Sequence, residues 1–265
     1  MEDIVESKIS QAILDAYHAK LRSSLESDVV IVGAGPSGMV ASWRLAASNF
    51  RAILLEKRLT PGGGIWGGSL GMNEAVVQRE ALEILNELEV RYQSRSGLFT
   101  VDAMELASAL CLKALRAGAV FLNLITAEDV CVHAGRVKGV VGNRSILSEN
   151  LPIDPIVFST RAAIDATGHN AVLVNCLRER NLLSDANRNL PSREKPMDAS
   201  AGENFVIENV TELFPGLWVT GMSVCAALGG PRMGPIFGGM LLSGSRVAEK
   251  VIATLGSGKL EAGNE

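Results

Sequence analysis

Near the start of the chain, Val5, Ile9, Ile13, Tyr17 and Leu21 recur at every fourth position among polar neighbours. That spacing predicts an amphipathic helix. The pattern then changes. Residues 28–32 (Asp28, Val29, Val30, Ile31, Val32) are almost wholly apolar and do not alternate, which predicts a strand buried on both faces. Pro36–Ala47 reads as the next helix and residues 52–55 as a second buried strand. Residues 60–71 form a glycine-rich loop. Ala75, Val76, Ala81, Leu82 and Leu85 share one helical face, so residues 73–88 read as helix. Asp102 is a capping residue for a helix that ends near Gly118. Residues 119–124 return to strand. Residues 129–133 and 136–141 flank Ala134 and Gly135, a hairpin signal. Residues 143–155 are polar and mobile-looking. Residues 161–166 and 217–220 read as strands. Residues 183–204 hold Ser, Asp, Asn and Pro with little periodicity and read as a long loop or flap. Residues 235–255 make a last, glycine-interrupted helix.

Strands that alternate with helices predict an α/β fold around a mostly parallel sheet. The 265 residues contain no linker-like stretch and read as one domain, 1–265. Within it lie an N-terminal helix over 1–26 and a core over 27–255, with a hairpin insertion at about 126–160. Composition narrows the function. Hydrophobic residues at 47% and charged residues at 20% exclude a disordered chain. A net charge of -4 and 5% aromatics make nucleic acid an unexpected partner. The longest apolar stretch, 224–242, is broken by Pro231, Arg232 and Pro235, so no membrane span is expected. The acidic start (Glu2, Asp3, Glu6) lacks the basic and apolar signature of a signal peptide. Cys111, Cys131, Cys176 and Cys225 form no C-x-x-C pair, so neither a zinc finger nor a disulfide scaffold is expected. A reducing, cytoplasmic location is the default expectation.

Glycine, at 27 residues, needs a positional explanation. Gly33-Ala34-Gly35-Pro36-Ser37-Gly38 follows the first strand and opens a helix. In such a turn the first glycine bends the chain, the second admits a pyrophosphate and the third lets helix pack on strand. The helix N-terminus then offers free N–H groups to phosphate. Glu56 ends the second strand, where a carboxylate suits the two ribose hydroxyls of an adenosine. An adenine dinucleotide is therefore expected, against the alternative of a glycine turn with no ligand. Later strands end in Ala166-Thr167-Gly168 and in Thr220-Gly221, a pattern common in flavoproteins. Together these favour a Rossmann-like fold of the two-dinucleotide-binding-domain flavoprotein type. They supply no redox residue.

Other residues are open to two readings each. The loop Pro61-Gly62-Gly63-Gly64-Ile65-Trp66-Gly67-Gly68 can wrap a ligand with backbone alone, or be a flexible turn. His169 follows a strand end, and Asp154 is held extended before Pro155. An imidazole and a carboxylate suit a transition metal with open positions, although spacing alone does not pair them. Arg232, in a glycine-rich apolar surround, wants an anion. Its partner is either a ligand carboxylate or a protein acid.

Taken together, the fingerprint with Glu56-Lys57, the 61–68 loop, Ile153-Asp154-Pro155, the run from Ala166 to His169, and Arg232-Met233-Gly234-Pro235 with Phe237-Gly238-Gly239-Met240 resemble the thiamine thiazole synthases. The resemblance runs from about Ser27 to Leu255 and is strongest to archaeal and bacterial members. It implies an enzyme of thiamine biosynthesis that consumes NAD, joins it to glycine and sulfide, and closes an ADP-linked thiazole. It implies Fe(II) and no FAD. Asp154 and His169 match the metal ligands, shared between protomers of a ring-like homo-octamer. Arg232 matches the residue that holds the glycine carboxylate. Ser37, Glu56, Lys57, Gly64, Val130, Ile153, Asp154 and Met222 match the dinucleotide contacts. Gly33, Gly35, Gly38 and Gly63, in the glycine loops, are expected to bind the dinucleotide with them. Asp154, His169 and Arg232 are thus the expected catalytic set. One position departs from the pattern. Two residues before the metal aspartate, where fungal and plant members carry a sulfur-donating cysteine and archaeal members often histidine, this chain has Pro152. Proline can neither give sulfur nor ligate metal, so external sulfide and multiple turnovers are expected. Cys131 is the nearest cysteine in sequence. An FAD-dependent oxidoreductase and a non-catalytic NAD or ADP-ribose binder are the alternatives.

Overall fold

The computed structural model describes residues 4–146, 153–184 and 193–261, with side chains to residue 256. Strands β1 (Glu26–Val32), β2 (Ala52–Glu56) and β6 (Val120–Asn123) lie parallel, with β1 beside β2 and β2 beside β6. On the other side β1 pairs in parallel with β9 (Ile156–Asp165), and β9 with β12 (Leu217–Val219). β11 (Thr211–Phe214) closes that edge antiparallel to β12. The order β11-β12-β9-β1-β2-β6 is a Rossmann-like arrangement, and the inner stretches of β1 and β2 are apolar and buried. Val29, Val30, Ile31, Ile53, Leu54 and Leu55 are fully buried.

The local reasons for these elements are legible. Helix α2 (Pro36–Ala47) begins with proline at its first position, where the missing N–H costs nothing. It packs on α4 (Ala103–Arg116) and on the last helix, α8 (Gly238–Glu261). The α4 cap is as expected: the Asp102 carboxylate accepts from the Glu105 N–H at 2.8 Å. β7 (Ile125–His133) and β8 (Arg136–Arg144) turn at Ala134 and Gly135, both with positive φ, as a two-residue hairpin requires. β8 then pairs with the first half of β9, and β12 with its second half. Helix α1 (Glu6–Ser24) forms as the four-residue spacing predicts, yet Ile9, Ile13 and Leu14 face solvent on the single chain.

Three expectations are corrected. Residues 73–88 are not one helix. They split into β3 (Glu74–Val77), a 3₁₀ turn and α3 (Leu82–Glu87). Ala75 and Val77 point inward and Glu74 outward, a period of two that wins over the helical spacing. β3 joins a small antiparallel sheet with β5 (Leu98–Asp102) and β4 (Tyr92–Arg95), whose turn at Ser96 and Gly97 sequence reading missed. Second, residues 183–204 are not a loop throughout. They contain β10 (Lys195–Met197) and the start of α6 (Ala199–Glu208), capped by Asp198, which accepts from the Ala201 N–H at 3.0 Å. Residues 185–192 of that expected loop lie outside the described residues, as do 147–152, the middle of the stretch expected to be mobile. Third, the last helix starts at Gly238 rather than residue 235; just before it the Ile236 N–H donates to the Gly234 carbonyl and the Phe237 N–H to the Val76 carbonyl, each at 2.8 Å. Two short helices, α5 (Val172–Glu179) and α7 (Met222–Leu228), were not anticipated.

Candidate active site

The parallel strands end at a cleft of about 670 Å³, the usual ligand position in an open α/β sheet. One wall is the turn between β1 and α2. Gly33 has φ +100°, and a Cβ there would lie 2.4 Å from the Ala166 carbonyl oxygen. A Cβ on Gly38 would lie 2.0 Å from the Gly33 oxygen. No other residue fits either position, so the two sheet-end segments meet backbone to backbone. Gly33, Gly35 and Ser37 line the cleft, while Gly38 packs beneath it.

Glu56 stands at the end of β2 and is 7% exposed. Its Oε2 accepts from the Ala34 N–H and its Oε1 from the Arg58 N–H, each at 2.8 Å. These bonds aim the carboxylate at the cleft mouth and tie it to the fingerprint turn. Lys57, Gly63 and Gly64 continue the same wall. The glycine loop is drawn in by the Gly62 N–H, which donates to the Ala34 carbonyl at 2.7 Å. Met222, at the start of α7, closes the inner end.

His169 sits on a 3₁₀ turn after β9. The turn is anchored by Asp165, fully buried, whose carboxylate accepts from the N–H groups of Thr167, Leu173 and Val174 and from the hydroxyls of Thr167 and Ser223. The His169 Nδ1 is 2.6 Å from Glu194 Oε1. Arg232 reaches the cleft from β13 (Pro231–Arg232), which pairs in parallel with β10. Among the described residues its guanidinium has no carboxylate partner, which disfavours the protein-acid reading and leaves it free for a ligand anion.

Besides Gly38, three expected residues are not in the cleft. Val130 is buried on β7; Thr126 and Ala127 of that strand line the wall instead. Ile153 and Asp154 are exposed and precede β9, with the Ile153 carbonyl accepting from the Asn143 side chain at 3.4 Å. His169 follows the other end of β9. A ten-residue strand spans roughly 30 Å, so one chain cannot offer both side chains to one ion. Among the described residues no group of three or more His, Cys, Asp or Glu gathers as a metal site. Pro152 lies outside the described residues. Burial, with the nearby Asp129 charge, pushes the Cys131 thiol up, which makes it a poor sulfur nucleophile.

Sequence reading missed Asp165, Glu194 and Glu203. Asp165 had a signal, an acid ending an apolar strand just before Ala166-Thr167-Gly168. Glu194 and Glu203 had none, because their partners are distant in sequence.

Among the described residues no helix is long and apolar enough to cross a membrane. The Thi4 family model matches residues 10–237. The chain is 47% identical to the thiamine thiazole synthase of Thermotoga maritima over 252 residues, 95% of this chain and 97% of that one. It is 44% identical to the thiamine thiazole synthase of Pyrococcus abyssi, over 94% of this chain and 98% of that one. The crystal structure of Thermovibrio ammonificans THI4 superposes with a TM-score of 0.91 at 42% identity, covering 96% of this chain and all of that one.

Proposed function

The chain belongs to the Thi4 family and is an enzyme of the thiamine thiazole synthase type, and from that premise we propose that it assembles the thiazole from NAD, glycine and sulfide with the help of Fe(II). One observation carries the reading: a single cleft gathers a glycine turn with its acid, a guanidinium that has no carboxylate partner among the described residues, and an imidazole.

Each group has a role in that reading. The α2 N-terminus and the glycine turn take the pyrophosphate of NAD. Glu56 takes the ribose hydroxyls of the adenosine half. The Arg232 guanidinium grips the glycine carboxylate through two parallel N–H bonds and so orients the glycine amine toward the nicotinamide-side ribose. Loss of nicotinamide then leaves a sugar carbon chain for that amine to join.

The donor set suits Fe(II). Imidazole and carboxylate are favoured ligands of such an ion, and two protein ligands leave positions open for small donors. His169 offers Nε2, which has no partner among the described residues, while Nδ1 is held by a carboxylate. Asp154 from a neighbouring copy supplies the second ligand, since the two stand at opposite ends of β9. The bound ion supplies Lewis-acid polarisation and a docking point for sulfide. Pro152 removes the possibility of a sulfur taken from that position in the chain, which supports external sulfide.

The test is anaerobic incubation of the protein with NAD, glycine, Fe(II) and sulfide, with mass identification of the product. An ADP-linked thiazole formed in more than one equivalent per chain, with unchanged protein mass, is the expected result. A chain lighter by one sulfur would refute the sulfide donor. A yellow protein with a flavin spectrum and no thiazole would refute the whole reading.

A further inference from the structure

We propose that Glu194 is the positioning residue of the metal site: it holds the His169 ring so that Nε2 alone is offered to the ion. The proposal rests on His169 being a metal ligand and adds the group that orients it. Three observations carry it. The Glu194 Oε1 lies 2.6 Å from His169 Nδ1, while the carboxylate side chain is 13% exposed and the imidazole 55%. A half-exposed ring is thus fixed by a largely buried acid. With Nδ1–H donating to carboxylate, the lone pair must sit on Nε2, on the far side of the ring. Carboxylates behind metal-bound imidazoles act in this way, fixing tautomer and direction and raising the basicity of the ligating nitrogen.

Glu194 is itself located by the cleft's other functional strand. The Lys195 N–H donates to the Gly230 carbonyl at 2.9 Å, and the Asp198 N–H to the Arg232 carbonyl at 3.1 Å. Between them, Lys195 pairs with Pro231 and Met197 with Arg232. The acid that aims His169 is therefore tied to the backbone that presents Arg232. This short ladder registers the metal ligand against the carboxylate-gripping guanidinium, so ion and glycine meet at a fixed separation.

The experiment uses the intact assembly without oxygen-sensitive metal. Co(II) is titrated and followed by its visible absorption, in wild type, Glu194→Gln, Glu194→Asp and His169→Ala, with NAD affinity measured in parallel as the check on folding. Glu194→Gln is expected to weaken Co(II) binding about 10- to 100-fold while NAD affinity stays unchanged, and Glu194→Asp to fall between it and wild type. If Glu194→Gln fails the NAD check, Glu194→Asp alone decides. Wild-type Co(II) affinity in the acid variants, with loss in His169→Ala, would overturn the role of Glu194 and leave the metal reading standing. Loss in Glu194→Gln as complete as in His169→Ala would make Glu194 a ligand and also overturn it. Undiminished binding in His169→Ala would overturn the metal reading beneath it.

Discussion

Glu203 offers a quantitative test of the packing behind the cleft. It lies on α6, is 7% exposed, and its Oε2 accepts from the Gly239 N–H at 2.6 Å in the first turn of α8. Its Oε1 has no partner among the described residues. Burial pushes this carboxyl from 4.5 up to about 7, against a smaller downward pull from the Gly239 N–H and the Gln78 side chain. A raised carboxyl pKa means that the folded state holds its proton where the unfolded chain has released it. The resulting stability is complete below pH 4.5 and is lost as pH climbs toward 7 and beyond. Between pH 5 and pH 8 this one group should cost the wild type about 2–3 kcal/mol. Glu203→Gln keeps the shape and an acceptor for Gly239 but cannot ionise. Denaturant unfolding of both proteins at pH 5, 6, 7 and 8, at one fixed protein concentration, isolates the difference. The wild type should lose that amount relative to the variant, with most of the loss between pH 5 and 7. Parallel pH profiles for the two proteins would refute the reasoning and mean that Glu203 stays charged in the fold.

Four further outcomes follow from the same structure. Asp165→Ala strips the start of α5 and the Ser223 hydroxyl of their acceptor and should destabilise the protein by at least about 3 kcal/mol in thermal or denaturant unfolding. Gly38→Ala places a methyl group against the Gly33 carbonyl, so calorimetry should find NAD binding lost together with a lowered melting temperature. Arg232→Lys exchanges a two-pronged grip for a point charge; the KM for glycine should rise roughly tenfold or more in steady-state assays, with NAD affinity unchanged. Because Asp154 and His169 flank a ten-residue strand, co-assembled Asp154→Ala and His169→Ala chains should recover activity that neither has alone, up to about a quarter of the wild-type sites at equal mixing in a symmetric oligomer.

Much of this protein was written locally. The apolar runs of β1 and β2, the proline that starts α2, the Asp102 cap and the turn at Ala134 and Gly135 are short-range features, and each formed where periodicity and turn chemistry placed it. The fingerprint and Glu56 were legible for the same reason, since one strand–turn–helix unit contains the whole motif. What the chain did not disclose depends on partners far apart in sequence. Residues 74–77 carry a spacing that serves helix or strand, and only pairing with β5 selected the strand. The polar stretch before α6 looked like loop because its order comes from a backbone ladder to β13. Glu194 lies 25 positions from His169, and Glu203 lies 36 from Gly239, so neither contact leaves a local trace. Burial, which lifts the Glu203 carboxyl, belongs to the assembled layers and not to any segment. Sequence alone determined the central strands, the first helices and the glycine turn; tertiary structure selected the remaining elements and decided which side chains face each other. It also placed Asp154 and His169 a strand's length apart, because hydrogen-bonded backbone sets that distance whatever the side chains are.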